Sequence, residues 1–214
     1  MSFFKKFSGL MLLFLGLGLA SCAPRFSESQ TRRSPEAART RKAGSYFFLA
    51  ESRSVSLMVD VELARMRRTE NYLPLVIMLA NKDLYELSLD RDSLLLLDPN
   101  EDAYLMPGFQ EINTSYDKFS FDARYYAFQA AAGNDALTSF SFFRKERCSF
   151  YPHPYKDSIL QDALVESVHL PQKSFIKDLI YFPMPKTGVS GQRFRLRLLS
   201  PELEVPFEME FFID

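Results

Sequence analysis

The sequence predicts an all-β fold: an antiparallel β-sandwich with a short helical insertion, behind a polar N-terminal segment. Three observations lead there. From Ser45 onward, apolar side chains recur with a dominant period of two rather than 3.6. Two runs, Leu73 to Ala80 and Leu94 to Leu97, are almost wholly apolar, as suits strands covered on both faces. Short apolar segments are separated by turns built on Pro, Gly, Asn and Asp.

At the N-terminus, Lys5 and Lys6 precede an apolar run from Phe7 to Ala20, the layout of a secretory signal peptide. A membrane-spanning helix needs about 20 apolar residues. This run is shorter, contains glycines and meets a polar tract at once. It closes on Leu19-Ala20-Ser21-Cys22. These four residues resemble the lipobox of bacterial lipoproteins, whose cysteine is acylated and becomes the first residue of the mature chain. The resemblance implies a signal peptide over 1–21, with Leu19, Ala20 and Ser21 forming the cleavage site. It implies a diacylglyceryl thioether and an N-acyl chain such as palmitate on Cys22, and hence a membrane partner. One acyl chain binds a membrane only marginally, at about 0.8 kcal/mol per buried CH₂, so two or three make a lasting anchor. The implied location is the bacterial cell envelope, facing the periplasm or the cell surface. Ala23 stands where inner-membrane members carry aspartate, which points to the outer membrane in a Gram-negative host. An ordinary cleaved signal followed by a chance cysteine is the competing reading.

Residues 22–44 read as the lipidated cysteine and a disordered basic tether. Arg25, Arg32, Arg33, Arg39, Arg41 and Lys42 stand against only Glu28 and Glu36, and no apolar period is present. A flexible coil of this length spans roughly 25 Å. The remaining domain, 45–214, has 18 basic and 25 acidic residues, a formal −7. The tether could pin itself to anionic headgroups beneath an acidic domain, or be a solvated linker. Neither charge sign dominates the whole chain, at a formal −1, which argues against a nucleic-acid partner.

Within the domain, Val55, Leu57, Val59, Val61 and Leu63 alternate with Ser56, Met58, Asp60, Glu62 and Ala64, predicting a half-buried strand. Arg67 to Asn71 reads as a hairpin loop, and Leu73 to Ala80 as a central strand with Pro74 tolerated at its start. After Leu94 to Leu97, Asp98-Pro99-Asn100-Glu101 predicts a turn, and Tyr104 and Leu105 the partner strand. Ile112 to Gly133 settles into no single period and predicts one or two helical turns. Strands resume at Ser139–Phe143, Phe150–Tyr151, Leu164–Leu170 and Ile176–Phe182. The C-terminus predicts a hairpin with Phe194, Leu196 and Leu198 opposite Leu203, Val205, Phe207, Met209 and Phe211 inside. A four-residue loop would set Arg197 against Glu204 and Arg193 against Glu208 on the outer face.

Tyr72-Leu73-Pro74-Leu75-Val76-Ile77-Met78-Leu79-Ala80-Asn81, then Ser93 to Asp98 with Tyr104, look like immunoglobulin-like domains of uncharacterised extracytoplasmic lipoproteins. Asp178 to Pro183 and the final hairpin resemble their last three strands. The likeness spans about Val55 to Asp214, implies an immunoglobulin-like sandwich, and transfers no catalytic residue.

Motifs for chemistry are sparse. The chain has no phosphate loop and no dinucleotide glycine fingerprint, and its two histidines and two cysteines offer no convincing zinc set, so no cofactor or metal is expected. Gly188-Val189-Ser190-Gly191 brushes against the serine-hydrolase elbow, but Gln192 stands where that motif needs glycine. Cys148 follows Arg144-Lys145-Glu146-Arg147; it reads as a half-buried small hydrophobe, with a cation-activated thiol as the alternative. His169 reads as an ordinary strand residue. Asp90, Asp92, Asp98, Asn100, Glu101 and Asp102 form an acidic stretch that does not match the twelve-residue calcium loop. Two surfaces suit a protein partner: the stiff aromatic loop with Tyr151, His153 and Tyr155, and the outer strand bearing Arg193, Arg195 and Arg197. The expectation is a non-catalytic, lipid-anchored module that binds another envelope protein. The alternative is a carrier of a small apolar or lipid ligand. An enzyme would need His153, Cys148 or an acidic pair to converge in one cleft.

Overall fold

The computed structural model describes residues 39–131, 140–151 and 163–214. In chain order these form β1 (Arg39–Lys42), β2 (Phe47–Glu51), β3 (Val55–Asp60), α1 (Glu62–Met66), β4 (Tyr72–Asn81), β5 (Glu86–Asp90), β6 (Leu94–Leu97) and β7 (Ala103–Leu105). Then come α2 (Phe109–Ser115), α3 (Phe119–Ala131), β8 (Arg144–Lys145), β9 (Cys148–Ser149), β10 (Ala163–Leu164), β11 (Ser167–Pro171), β12 (Ser174–Pro183), β13 (Gln192–Leu198) and β14 (Phe207–Ile213). Strand far outweighs helix, as expected of an all-β sandwich.

A large sheet runs β1-β2-β3-β4-β12-β8 and a smaller one β14-β13-β6-β7. Within these two sheets the described pairing is antiparallel except between β12 and β8, and outside them β9 and β10 pair in parallel. The sheets face one another: Phe48 of β2 meets Phe211 and Phe212 of β14, with ring centroids 6.3 and 4.9 Å apart. Leu73, Leu75, Ile77 and Leu79 of β4 join Val55, Leu57 and Val59 of β3 and the small sheet's Leu94, Leu96, Phe194 and Leu196 in one core.

The opposite face of the large sheet is covered too. Met58, Met78, Ala80 and Phe175 pack with Phe140, and α2 and α3 lie beyond Val76 and Tyr181. β3 is therefore buried along its whole length, not half-buried as its alternation suggested. Alternation reports which residues are apolar; whether a further layer covers the outer face depends on remote segments.

Several local expectations change. The strand through Val55 stops at Asp60, whose Oδ1 accepts the Glu62 amide at 2.8 Å, an Asx-type turn that starts α1. A short helix thus replaces the expected strand over Glu62 to Ala64, while Arg67 to Asn71 is a turn, as expected. Helix between Ile112 and Gly133 is longer than one or two turns, because α3 alone has 13 residues. The last residues of the expected tether, Arg39–Lys42, form an edge strand on β2, so order begins before Ser45. Phe140 to Phe143 turns rather than extends, and strand pairing there starts at Arg144.

The C-terminal hairpin forms, but with Arg197 opposite Glu208 and Arg195 opposite Glu210. Residues 199–206 do not pair: Leu199 N–H reaches the Ser93 carbonyl at 2.7 Å and Ser200 Oγ–H the Ser88 carbonyl at 3.0 Å, while Leu203 is buried. The register slips by four residues, an even number, so Phe207, Met209 and Phe211 still face the core, whereas Val205, expected inside, is only half-buried in the connection. The Asp98 turn is as expected. Glu101 N–H reaches the Asp98 carbonyl at 3.0 Å, and Asp98 Oδ1 accepts the Asn100 and Asp102 amides at 2.8 and 3.0 Å.

Candidate functional site

The residues singled out from sequence do not converge. Leu19, Ala20, Ser21, Cys22, His153 and Tyr155 lie outside the described residues. Tyr151 is no surface residue. It is 1% exposed, its ring meets Tyr181 edge-on at 5.2 Å, and its hydroxyl donates to the Pro107 carbonyl at 2.8 Å. Arg195 and Arg197 are not free to dock either. Arg195 pairs with Glu101 and with Glu208 (3.2 Å), and Arg197 with Glu208 (2.5 Å), which leaves only Arg193 largely exposed. His169 is exposed beside Glu86 and Ser88. Cys148 is half-buried against the core. Gly188 and Gly191, with φ of +70° and +69°, sit in a loop between β12 and β13, not in a strand-to-helix elbow.

A different place gathers unusual chemistry. Asp60, at the end of β3, and Lys177, in the middle of β12, both point away from the sandwich core toward α3. Register sets this: Met78 pairs with both Met58 and Lys177, and Val76 with both Asp60 and Leu179. Alternate positions share a face, so Met58, Asp60, Val76, Met78 and Lys177 all project outward. Leu63 of α1 and Tyr125, Tyr126 and Gln129 of α3 close the other side. The resulting cleft has about 460 Å³ of empty space including its open mouth. Inside it is narrow, with room for about one water molecule.

Its electrostatics are unbalanced. Lys177 is 7% exposed and Asp60 9% exposed, yet among the described residues no carboxylate oxygen lies within 4.0 Å of Lys177 Nζ. The ammonium sits over the Tyr126 ring, 5.4 Å from its centroid. Burial, and then Lys145, pull the Lys177 ammonium below its usual value, with Asp60 pulling back. Burial pushes the Asp60 carboxyl up to about 6, against the Glu62 amide and Lys177. Sequence reasoning missed both residues. The available signal was Lys177-Asp178 set in the otherwise largely apolar run of β12.

Two other buried carboxylates are satisfied. Asp178 points the opposite way, into the core, and accepts Ser149 Oγ–H at 2.6 Å and the Phe150 and Leu179 amides at 2.8 Å each. Asp122 accepts Tyr116 O–H at 2.6 Å and Arg67 Nε–H at 2.7 Å, tying α3 to the end of α1. Burial raises the Asp122 carboxyl above its usual value, opposed by Tyr116 and Arg67. These clusters hold segments together and leave no open position for a reactant.

On the outside of α3, Phe121 and Phe128 are 54% and 71% exposed. With Arg124 and Tyr125 between them at helical spacing, they form one stripe. Glu62 reaches Gln129 and Arg67 reaches Asp122, so α1 runs antiparallel beside α3 and brings exposed Met66 to the edge of that stripe.

No family model, curated protein or solved structure matches this chain.

Proposed function

We propose that this chain is a lipid-anchored cell-envelope protein, held through Cys22, whose β domain, read as immunoglobulin-like, is a non-catalytic module that binds another envelope protein. The anchor and the immunoglobulin-like character rest on the sequence resemblances. The observation that supports binding is the exposed Phe121–Arg124–Phe128 stripe of α3. Aromatic and arginine side chains are the types that concentrate binding energy at protein interfaces. A partner with an apolar centre and an acidic rim would match Phe121, Phe128 and Met66 beside exposed Arg68 and Arg124. The domain's formal −7 disfavours an anionic membrane surface as the occupant. A photo-crosslinking residue at position 121 or 128 in intact cells should yield one dominant protein adduct. Lipid adducts alone, or none, would overturn the docking surface. Cys22→Ala should lose acyl label and membrane retention, and normal processing of that variant would refute the anchor.

A further inference from the structure

We propose that the cleft between α3 and the outer face of the large sheet is a binding site for a small aliphatic monocarboxylate, with Lys177 as its counter-ion. This goes beyond the protein-docking reading and does not depend on it, because the cleft lies on the inner side of α3 and Phe121 and Phe128 on its outer side, with Tyr125 at the margin between them.

The argument starts from the cation. Lys177 is covered along its stem and has no anion or set of acceptors among the described residues, so its ammonium is left to whatever enters the cleft. Asp60 does not fill the role: it is beyond 4.0 Å, and one of its oxygens already accepts the Glu62 amide. The missing anion is therefore external and enters through the cleft. One unpaired cation calls for one negative charge, and a dianion would place its excess charge near Asp60. The walls around the ammonium are apolar, from Met58, Leu63, Val76 and Met78 with the Phe47 and Tyr126 rings, so the rest of the ligand is a short hydrocarbon. The narrow interior excludes rings and bulky groups, while flexible methionines can part around a slim chain. Tyr125 and Gln129, hydrogen-bonded to each other at 2.8 Å, form the polar rim.

The site has a built-in pH response. Groups facing Asp60 are Glu62 on α1, Lys177 on β12 and Tyr125 on α3; those facing Lys177 are Lys145 on β8, Asp60 on β3 and Tyr126 on α3. Below pH 6 Asp60 is mostly neutral and no longer repels the incoming carboxylate, so affinity rises as pH falls from neutral.

The test is calorimetric titration of the full chain with butyrate, and with butylamine and butanol as chain-matched controls. Butyrate should bind saturably in the millimolar range or tighter, more tightly in mildly acid than in neutral solution, and the controls should not. Lys177→Met should weaken butyrate by roughly thirtyfold or more. The same substitution should raise the melting temperature, since it removes a buried unpaired charge at nearly constant volume. Gln129→Trp, a change at the half-buried rim that leaves the core intact, should also block binding. Equal binding of butanol, undiminished butyrate binding by Lys177→Met, weaker binding in acid, or no saturable binding would each overturn the proposal. A lower melting temperature for Lys177→Met would show the lysine to be a structural element, and would overturn it as well.

Discussion

β12 carries two adjacent charged residues that meet opposite fates. Asp178 faces the sandwich core, is fully buried and accepts three hydrogen bonds from Ser149, Phe150 and Leu179. Lys177 faces α3, is almost as buried, and has an aromatic ring and a distant carboxylate in place of an ion-pair partner. The difference separates a polar group used to build the fold from one held ready for something else. A satisfied buried charge pins the elements that satisfy it. An unsatisfied one is a cost that the surrounding structure sustains, and such costs concentrate at functional sites.

The comparison can be broken most severely at Asp178. Asp178→Ala strands the buried Phe150 and Leu179 amides at once, leaving Ser149 Oγ–H only the Tyr151 carbonyl, and should cost about 4 kcal/mol in urea unfolding. A loss below about 1 kcal/mol would mean that the β9 segment is not held by this carboxylate. Next comes the α1–α3 tie. Arg67→Met leaves the Asp122 carboxylate buried with only Tyr116, and should cost about 3 kcal/mol. Arg67→Met combined with Asp122→Leu should recover most of that loss, and failure of this rescue would assign the cost to packing rather than charge.

Asp60 supplies a test of opposite sign. In the unfolded chain its carboxyl ionises at 3.8, in the fold at about 6. Between those values the native state holds the extra proton, so stability falls as pH rises through the window. Above about 6 the full penalty of about 2–3 kcal/mol remains. Asp60→Asn keeps an acceptor for the Glu62 amide and removes the penalty. It should stabilise the protein by about 2 kcal/mol at neutral pH and leave it unchanged near pH 3.5, flattening the stability profile between. A variant with the same pH slope as the parent would place the titration elsewhere. The smallest effect belongs to the outer ladder of β13. Arg193→Ala, at an exposed pair with Glu210, should shift stability by no more than about 0.5 kcal/mol. Arg197→Ala, whose side chain and partner Glu208 are mostly covered, should cost more than Arg193→Ala. Equal values would erase the distinction between exposed and covered pairs.

Legibility followed the range of the interaction. The β class, the central strand β4, the Asp98 turn and the two final strands all follow from side-chain period and turn chemistry acting over a few residues. The hairpin's register does not: its connection is held by Ser88 and Ser93, more than a hundred residues earlier in the chain. Tyr151 looked like a loop residue because proline and tyrosine follow it, yet Pro107 and Tyr181 draw it inside. The partner surface expected on β13 is largely consumed by its own glutamates, while the exposed stripe lies on a helix that had no clean period.

By itself the sequence determined that this is a β-rich domain, which residues alternate into its core, and the N-terminal pattern that resembles a lipobox. The tertiary structure alone decided that the large sheet is covered on both faces, that Lys177 and Asp60 share a cleft while Asp178 is turned the other way, and that Phe121 and Phe128 remain outside. The reason is physical. A strand's period divides its residues between two faces, but only the packing of distant segments decides what each face meets, and so whether a charge finds a partner.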